Sequence, residues 1–338
     1  MKYLVVKLSS LGDIIQTIPF ASYLDGEVLW AVESDYISLL KSVPTIKHVI
    51  PIPFRKWRRG ECRFSELVKA LRSLGTYDTV FDLQGNCKSA IVTKFAKAKK
   101  KIGLKNPAEW PNRLVTNTKI SLPQELPIKT QLQVFYQNAF DKEPKEKPLQ
   151  LLGENLLLPK RTFMVCMGSR WKNKQLPEAI WKSFLHQLQK RYGAHLLFVF
   201  GEEKEFSFPN STTIIKPEFG TWQRLMSQVD IILTVDSASL ALANTTSTPT
   251  FALFGPSSAK IFGPTTPGSG TFQGACPYGE TFIKRCKYLR SCKTGACLHE
   301  TTLKQLLEAF QNQCGSQLDQ SLREFSLCPQ SESSPCTT

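Results

Sequence analysis

The 338-residue chain is long enough for two α/β cores rather than one. Its 41% hydrophobic and 21% charged residues are those of a globular protein, and it carries no apolar run long enough for a membrane-spanning helix. A net charge of +15 calls for a polyanionic partner or surface, for which nucleic acid, an anionic membrane and a phosphorylated glycolipid all qualify.

The first thirteen residues, MKYLVVKLSSLGD, lack a small-residue cleavage site and read as a first strand, which points to a cytoplasmic protein. Apolar runs bounded by turn residues follow at Tyr3–Leu8, Val28–Ala31, Val49–Ile52 and Thr79–Leu83, with a helical spacing of apolar residues over Phe64–Leu74. A second series comprises Thr162–Met167, His195–Phe200, Ile231–Val235 and Thr250–Phe254. Its helices are expected over Pro177–Lys190 and Gly220–Gln228. Strands alternating with helices imply parallel sheets covered on both faces, here two similar halves flanking a cleft. The charged, proline-bearing Asp141–Pro159 is the linker candidate, and Gly315–Thr338, poor in apolar periodicity, reads as a mobile tail. Of ten cysteines, seven lie from Cys276 onward, and a cytosolic address favours free thiols or a metal site over disulfides.

Three segments carry chemistry. Lys7–Pro19 (KLSSLGDIIQTIP) leaves the first strand and opens a helix, where α/β proteins bind ligands. Asp13 there either caps the helix or faces the cleft as a proton acceptor. The segment has no G-x-G-x-x-G, which weakens a nicotinamide reading. Gly168–Pro177 (GSRWKNKQLP) places cations in a small-residue loop, suited to a diphosphate or simply solvated. Val235–Asn244 and Thr250–Ser258 put Asp236, Ser237 and Gly255 at strand ends, either for capping or for presenting a hydroxyl and amides to a ligand.

In this order the three segments resemble the bacterial heptosyltransferase family, whose members carry a K-x-S-S-x-G-D start, a K-x-W-P-like loop and a D-S/T-G-x-x-H turn. The resemblance runs from Met1 to about Phe310, and Trp30–Glu33, Phe54–Arg59 and Asp82–Ser89 bring it nearest the heptosyltransferase I branch. It implies the GT-B architecture, two Rossmann-like domains facing a cleft: residues 1–150 for the acceptor, 151–314 for the nucleotide sugar, and 315–338 as the tail. It further implies heptose transfer from ADP-heptose to a Kdo residue of the lipopolysaccharide inner core, with inversion and without a metal or other cofactor. Asp13 would be the general base. Ser169, Arg170, Lys174, Glu203, Asp236, Ser237 and Ala238 would bind the donor, and Ser10, Arg55, Lys56, Arg58, Arg59, Gln84 and Lys88 the Kdo-lipid A acceptor. The expected location is the cytoplasmic face of the inner membrane, held peripherally by the basic surface.

The chain departs from that pattern at Ala241, where the family usually has His, at Ala238 in place of Gly, and at Leu176 in place of Trp. A different donor or a later core acceptor therefore stays open, as does a sugar-nucleotide binder without turnover. The basic run Lys94–Lys105 suggests nucleic acid, but it lacks interleaved stacking aromatics. Cys276, Cys286, Cys292 and Cys297 lack the tight pairs of a typical zinc site.

Overall fold

A computed structural model describes residues 1–145 and 148–320. The N-terminal half holds strands β1 (Lys2–Val6), β2 (Glu27–Glu33), β3 (Ile46–Ile52), β4 (Thr76–Asp82), β5 (Lys97–Leu104) and β6 (Thr118–Ile120). Its helices are α1 (Leu11–Thr17), α2 (Pro19–Tyr23), α3 (Ile37–Lys41), α4 (Phe54–Arg58), α5 (Phe64–Arg72), α6 (Cys87–Phe95) and α7 (Ile128–Phe140). The C-terminal half holds β7 (Thr162–Cys166), β8 (His195–Phe200), β9 (Ser211–Ile215), β10 (Ile231–Val235), β11 (Thr250–Phe254) and β12 (Gly270–Gln273). Around these lie α8 (Glu178–Tyr192), α9 (Phe219–Met226), α10 (Ala238–Ala243), α11 (Ala259–Phe262), α12 (Ala296–His299) and α13 (Leu303–Phe310).

Both sheets are parallel throughout their paired strands, in the orders β3-β2-β1-β4-β5-β6 and β12-β11-β10-β7-β8-β9. Counted within its own half, each sheet runs 3-2-1-4-5-6, the doubly wound order of dinucleotide-binding folds. The order reverses between β1 and β4 in one half and between β7 and β10 in the other. All three sequence motifs leave a strand at or beside these switch points, where the crevice for a ligand opens.

The buried central strands explain the apolar runs. Every residue of β7, β10 and β11 is buried, as a strand covered on both faces requires. Beneath the N-terminal sheet, Phe20 meets Phe81 and Phe135 edge-on at 5.2 and 5.7 Å between ring centroids. In the C-terminal half Phe310 packs edge-on against Phe251 at 5.2 Å and Phe184 at 5.7 Å.

The basic run Lys94–Lys105 is not an open strip. It ends α6 and forms β5 between β4 and β6, with Ile102 buried; Lys101 Nζ donates to Thr93 O and Lys100 Nζ to Ala139 O. The expected linker is also tied down where it is described. Leu151 is buried, its amide held by Gln223 Oε1 at 2.7 Å, and Leu152 N donates to Ser42 O in the other half. Residues 315–320, placed in the tail on sequence grounds, continue the helical path after α13. Leu318 is buried in the C-terminal core and Asp319 pairs with Arg191 at 2.8 Å, so apolar anchoring reaches further than the periodicity suggested. The remainder of that expected tail lies outside the described residues.

The two halves share one continuous apolar cluster that includes Ile14, Ile15, Met164, Cys166 and Ala241. Its tightest crossing is α1 on α10. A Cβ added to Gly12 would lie 3.7 Å from Ala238 Cα and 3.9 Å from Ala241 Cβ. Small residues at 12, 238 and 241 allow these helices to approach and bring the carboxyl ends of both sheets to one cleft.

Candidate active site

Asp13 occupies the first turn of α1. Its Oδ2 accepts from Ser10 N at 3.2 Å and Ser10 Oγ at 2.7 Å, so the helix-capping reading holds geometrically. The side chain is nevertheless 32% exposed and faces Arg285 Nη2 at 3.7 Å. Capping leaves the carboxylate able to face the cleft. Burial alone would raise the Asp13 pKa; Lys7, the Ser10 hydrogen bonds and Arg285 outweigh it and hold the carboxyl below its ordinary value. Lys7 has its own pKa lowered, by burial first, and donates from Nζ to Leu83 O at 2.9 Å.

The turn before α1 is fixed by β4. Gln84 Oε1 accepts from the Leu8 and Ser9 amides, both at 3.1 Å. Gln84 thereby supports the Asp13 loop through its Oε1. Asp82, fully buried, accepts from Gln84 N and Gly85 N on one oxygen and from Thr93 Oγ1 and Asn112 Nδ2 on the other. Gly85 adopts φ +71°, a left-handed turn, and a Cβ there would press on Leu104 and Pro107 at 3.3 Å.

Across the cleft, Lys174 Nζ meets Asp236 Oδ2 at 2.5 Å, with the two side chains 8% and 14% exposed. The same Asp236 oxygen accepts from Ser257 Oγ. Ser169 lies on the loop after β7, where its carbonyl accepts from Gln175 Nε2 at 2.5 Å; Arg170 beside it is exposed. Ser237 begins α10 without a side-chain cap bond and shares a 2.6 Å hydrogen bond with Ser239 Oγ. Ala238 lies beside Gly12 at the α1–α10 crossing. Glu203 is not gathered to this group: its side chain is 82% exposed and pairs with Lys216 at 2.8 Å.

The expected acceptor cations form a cluster on α4 and its neighbours, mostly already paired. Glu33, 1% exposed, takes Lys88 Nζ at 3.1 Å and the Arg55 amide at 2.9 Å. Arg55 Nη1 donates to Tyr36 Oη at 2.5 Å, and Arg59 bridges Asp35 and Glu61 at 3.2 and 2.6 Å. Among the described residues Lys56 and Arg58 have no ion-pair partner. Five cations against Glu33, Asp35 and Glu61 leave a surplus of two positive charges, with the Arg55 and Arg59 guanidinium groups held in place by the carboxylates.

Cys276, Cys286, Cys292 and Cys297 are free thiols. Burial pushes Cys297 up to about 11, and the charge of Cys276, Cys292 and Cys286 adds to this. Among the described residues no group of three or more His, Cys, Asp and Glu side chains is arranged to hold a metal ion.

Residues 64–290 match the sequence profile of glycosyltransferase family 9 (heptosyltransferase). The chain belongs to that family. As a family 9 glycosyltransferase it is 26% identical over 302 residues to lipopolysaccharide heptosyltransferase 1 of Pseudomonas aeruginosa, spanning 78% of this chain and 81% of the relative. To the Salmonella typhimurium protein of the same name it is 23% identical over 309 residues, spanning 82% and 94%. Among solved structures, the E. coli heptosyltransferase WaaC with ADP superposes with a TM-score of 0.67 at 20% identity, over 79% of this chain and 91% of that one, a likeness of fold.

The same cleft holds residues that the motif reading passed over. Lys7 and Ser257 lie inside quoted segments, yet neither stood among the candidate site residues. Lys284 and Arg285 sit in the cysteine-bearing segment, where attention to thiol spacing hid them. Nothing in the local spacing marks this Lys-Arg pair, which tertiary contact brings to Asp13.

Proposed function

We propose that this glycosyltransferase transfers heptose from ADP-heptose to a Kdo residue of the lipopolysaccharide inner core, with inversion at the anomeric carbon. The observation that carries the reading is the arrangement across the cleft: Asp13 on one half, the Lys174–Asp236 pair on the other. The proton of the acceptor hydroxyl passes to Asp13 as that oxygen bonds to the anomeric carbon. The bond from that carbon to the diphosphate breaks, and its electron pair leaves with ADP. Lys174 stabilises the departing charge, so the reaction proceeds without a metal at the reacting centre. Ser169, Arg170, Ser237 and the Ala238 backbone flank the donor side. Arg55, Lys56, Arg58, Arg59 and Lys88 offer the acceptor's carboxylates and phosphates oriented cations.

Among the described residues no helix is long and apolar enough to cross a membrane. The basic chain would reach its glycolipid by docking on the anionic cytoplasmic face of the inner membrane.

The test is ADP release from ADP-heptose with Kdo-lipid A, for the wild type and Asp13→Ala. Turnover that collapses in the variant supports the reading. A wild type that binds ADP-heptose yet turns over only another acceptor would refute the Kdo assignment, and failure to bind ADP-heptose would refute the donor.

A further inference from the structure

The segment that carries the clustered cysteines also delivers two cations to the reacting centre. Its backbone is pinned to the turn after β11: Ser257 and Arg285 form an antiparallel bridge, Ser258 N donates to Lys284 O at 3.0 Å, and Cys286 N donates to Pro256 O at 2.8 Å. Ser257 is the residue whose hydroxyl donates to Asp236, and Asp236 in turn holds Lys174. Residues 284–286 are thus joined through two hydrogen bonds to the donor side of the cleft.

From this base Arg285 crosses to the other half. Its guanidinium lies 4.9 Å from the Phe262 ring centroid and 3.7 Å from Asp13. Lys284, partly buried beside it, has no side-chain ion pair among the described residues. Burial first, then Arg285, lowers the Lys284 pKa, and Asp13 opposes them. Lys7 brings a third cation to the same carboxylate. Asp236 is already bonded to Lys174 and Ser257, and both oxygens of Asp82 are occupied by its four donors. Lys7, Lys284 and Arg285 therefore act on Asp13, and Asp82 acts on Lys7 as well, so three cations face two carboxylates, a surplus of one positive charge within a cleft. An open cavity of about 560 Å³ lined by residues 279–285 and Lys287 adjoins them.

We propose that Lys284 and Arg285 are donor-binding residues that grip the diphosphate of the nucleotide sugar together with Lys174. This rests on the donor reading above. A diphosphate supplies negative charge to a site with a cationic surplus, and a guanidinium binds phosphate oxygens in bidentate fashion. A phosphate that draws Arg285 away also frees an oxygen of Asp13 to accept the hydroxyl proton. When the bond between the anomeric carbon and the phosphate oxygen breaks, its electron pair stays on that oxygen, within reach of both cations. An acceptor carboxylate is the other anion that such a pair could hold. The strap's attachment to Ser257, Asp236 and Lys174 favours the donor.

The test is calorimetric titration of ADP into the full-length wild type, Lys284→Ala, Arg285→Ala and Arg285→Lys, with a melting temperature for each. Loss of a charge-assisted hydrogen bond predicts ADP binding weaker by about tenfold or more in Arg285→Ala. Lys284→Ala should weaken it severalfold and Arg285→Lys less than Arg285→Ala, all with wild-type melting temperatures. Wild-type ADP affinity in both alanine variants would overturn the assignment. A raised acceptor KM with unchanged ADP affinity would also overturn it and move the pair to the acceptor. A wild type that binds no ADP would defeat the donor reading itself and this inference with it.

Discussion

Arg285 of the C-terminal half holds its guanidinium 3.7 Å from the carboxylate of Asp13 in the N-terminal half. The pair ties a strap of one half to Asp13 of the other, so the protonation of Asp13 depends on how the halves meet.

Asp13→Asn should lower kcat by roughly 10²–10⁴-fold, the usual worth of a general base, while ADP affinity stays within about twofold. A general base acts ionised, and the Asp13 pKa lies below the ordinary carboxylate value because Lys7, Ser10 and Arg285 outweigh burial. The rate should therefore hold as pH falls through the normal carboxylate range and drop only below it. Stability follows the same sign: the contribution from Asp13 is present above its unfolded pKa and is lost as pH falls through the folded one. Arg285→Gln should move the acid limb of kcat/KM upward. An unmoved limb would show that Arg285 does not act on the base.

Lys174 and Asp236 form a nearly buried pair, 8% and 14% exposed. Lys174→Met strands the carboxylate with Ser257 alone and should destabilise by about 3–5 kcal/mol. Adding Asp236→Asn should return part of that loss. Urea unfolding of the two single variants and the double variant checks this, and strict additivity would contradict a coupled pair.

Asp82 has no contact with Asp13, yet it organises the turn that presents it. Asp82→Ala leaves four donors, on Gln84, Gly85, Thr93 and Asn112, without their acceptor. At about 1–3 kcal/mol per buried orphan, a loss of at least about 3 kcal/mol is expected in denaturant. kcat should fall more than KM rises, because Gln84 no longer sets the Leu8–Ser9 turn. A stable variant with wild-type kcat would show that the turn holds itself.

The apolar runs disclosed the central strands because β7, β10 and β11 are buried along their whole length, β1 from Tyr3 and β4 from Thr79 onward. The strands left unread are β5 and three at the sheet edges. β5 (KAKKKIGL) sends lysines outward, so it looked like a charge run. β6, β9 and β12 are short edge strands, and β9 (STTII) is half polar. Motif reading singled out Asp13, Lys174 and Asp236 because each lies just past a strand at or beside a switch point. It missed the partners supplied by tertiary contact: the carboxylates that hold Arg55 and Arg59, Gln84 as a loop support, and Arg285 reaching in from a distant strap. None of these is visible in local spacing.

Trp57 and Phe64, 43% and 59% exposed with ring centroids 5.5 Å apart, stand beside the unpaired Lys56 and Arg58. Aromatic rings flanked by free cations suit an anionic lipid surface. The protein should co-sediment with vesicles containing phosphatidylglycerol, and binding should fall as salt rises from about 0.05 to 0.5 M, over which the Debye length shrinks severalfold. Trp57→Ala with Arg58→Glu should weaken binding severalfold. Equal binding to neutral vesicles, or indifference to salt, would contradict this.

Ala241 is 1% exposed, and its Cβ is 3.9 Å from the place a Cβ on Gly12 would occupy. An imidazole at this position needs volume that the α1–α10 crossing does not contain, and it brings polar nitrogens into a shared apolar cluster. Ala241→His should therefore destabilise the ligand-free protein by about 1–3 kcal/mol, or move the halves apart. Melting temperature and the radius of gyration from small-angle scattering distinguish the two: a lower melting point at constant radius means strain within the closed crossing, whereas a larger radius means that α1 and α10 have separated. If neither changes, the crossing repacks freely, and small side chains at 12, 238 and 241 are not what sets the approach of the domains.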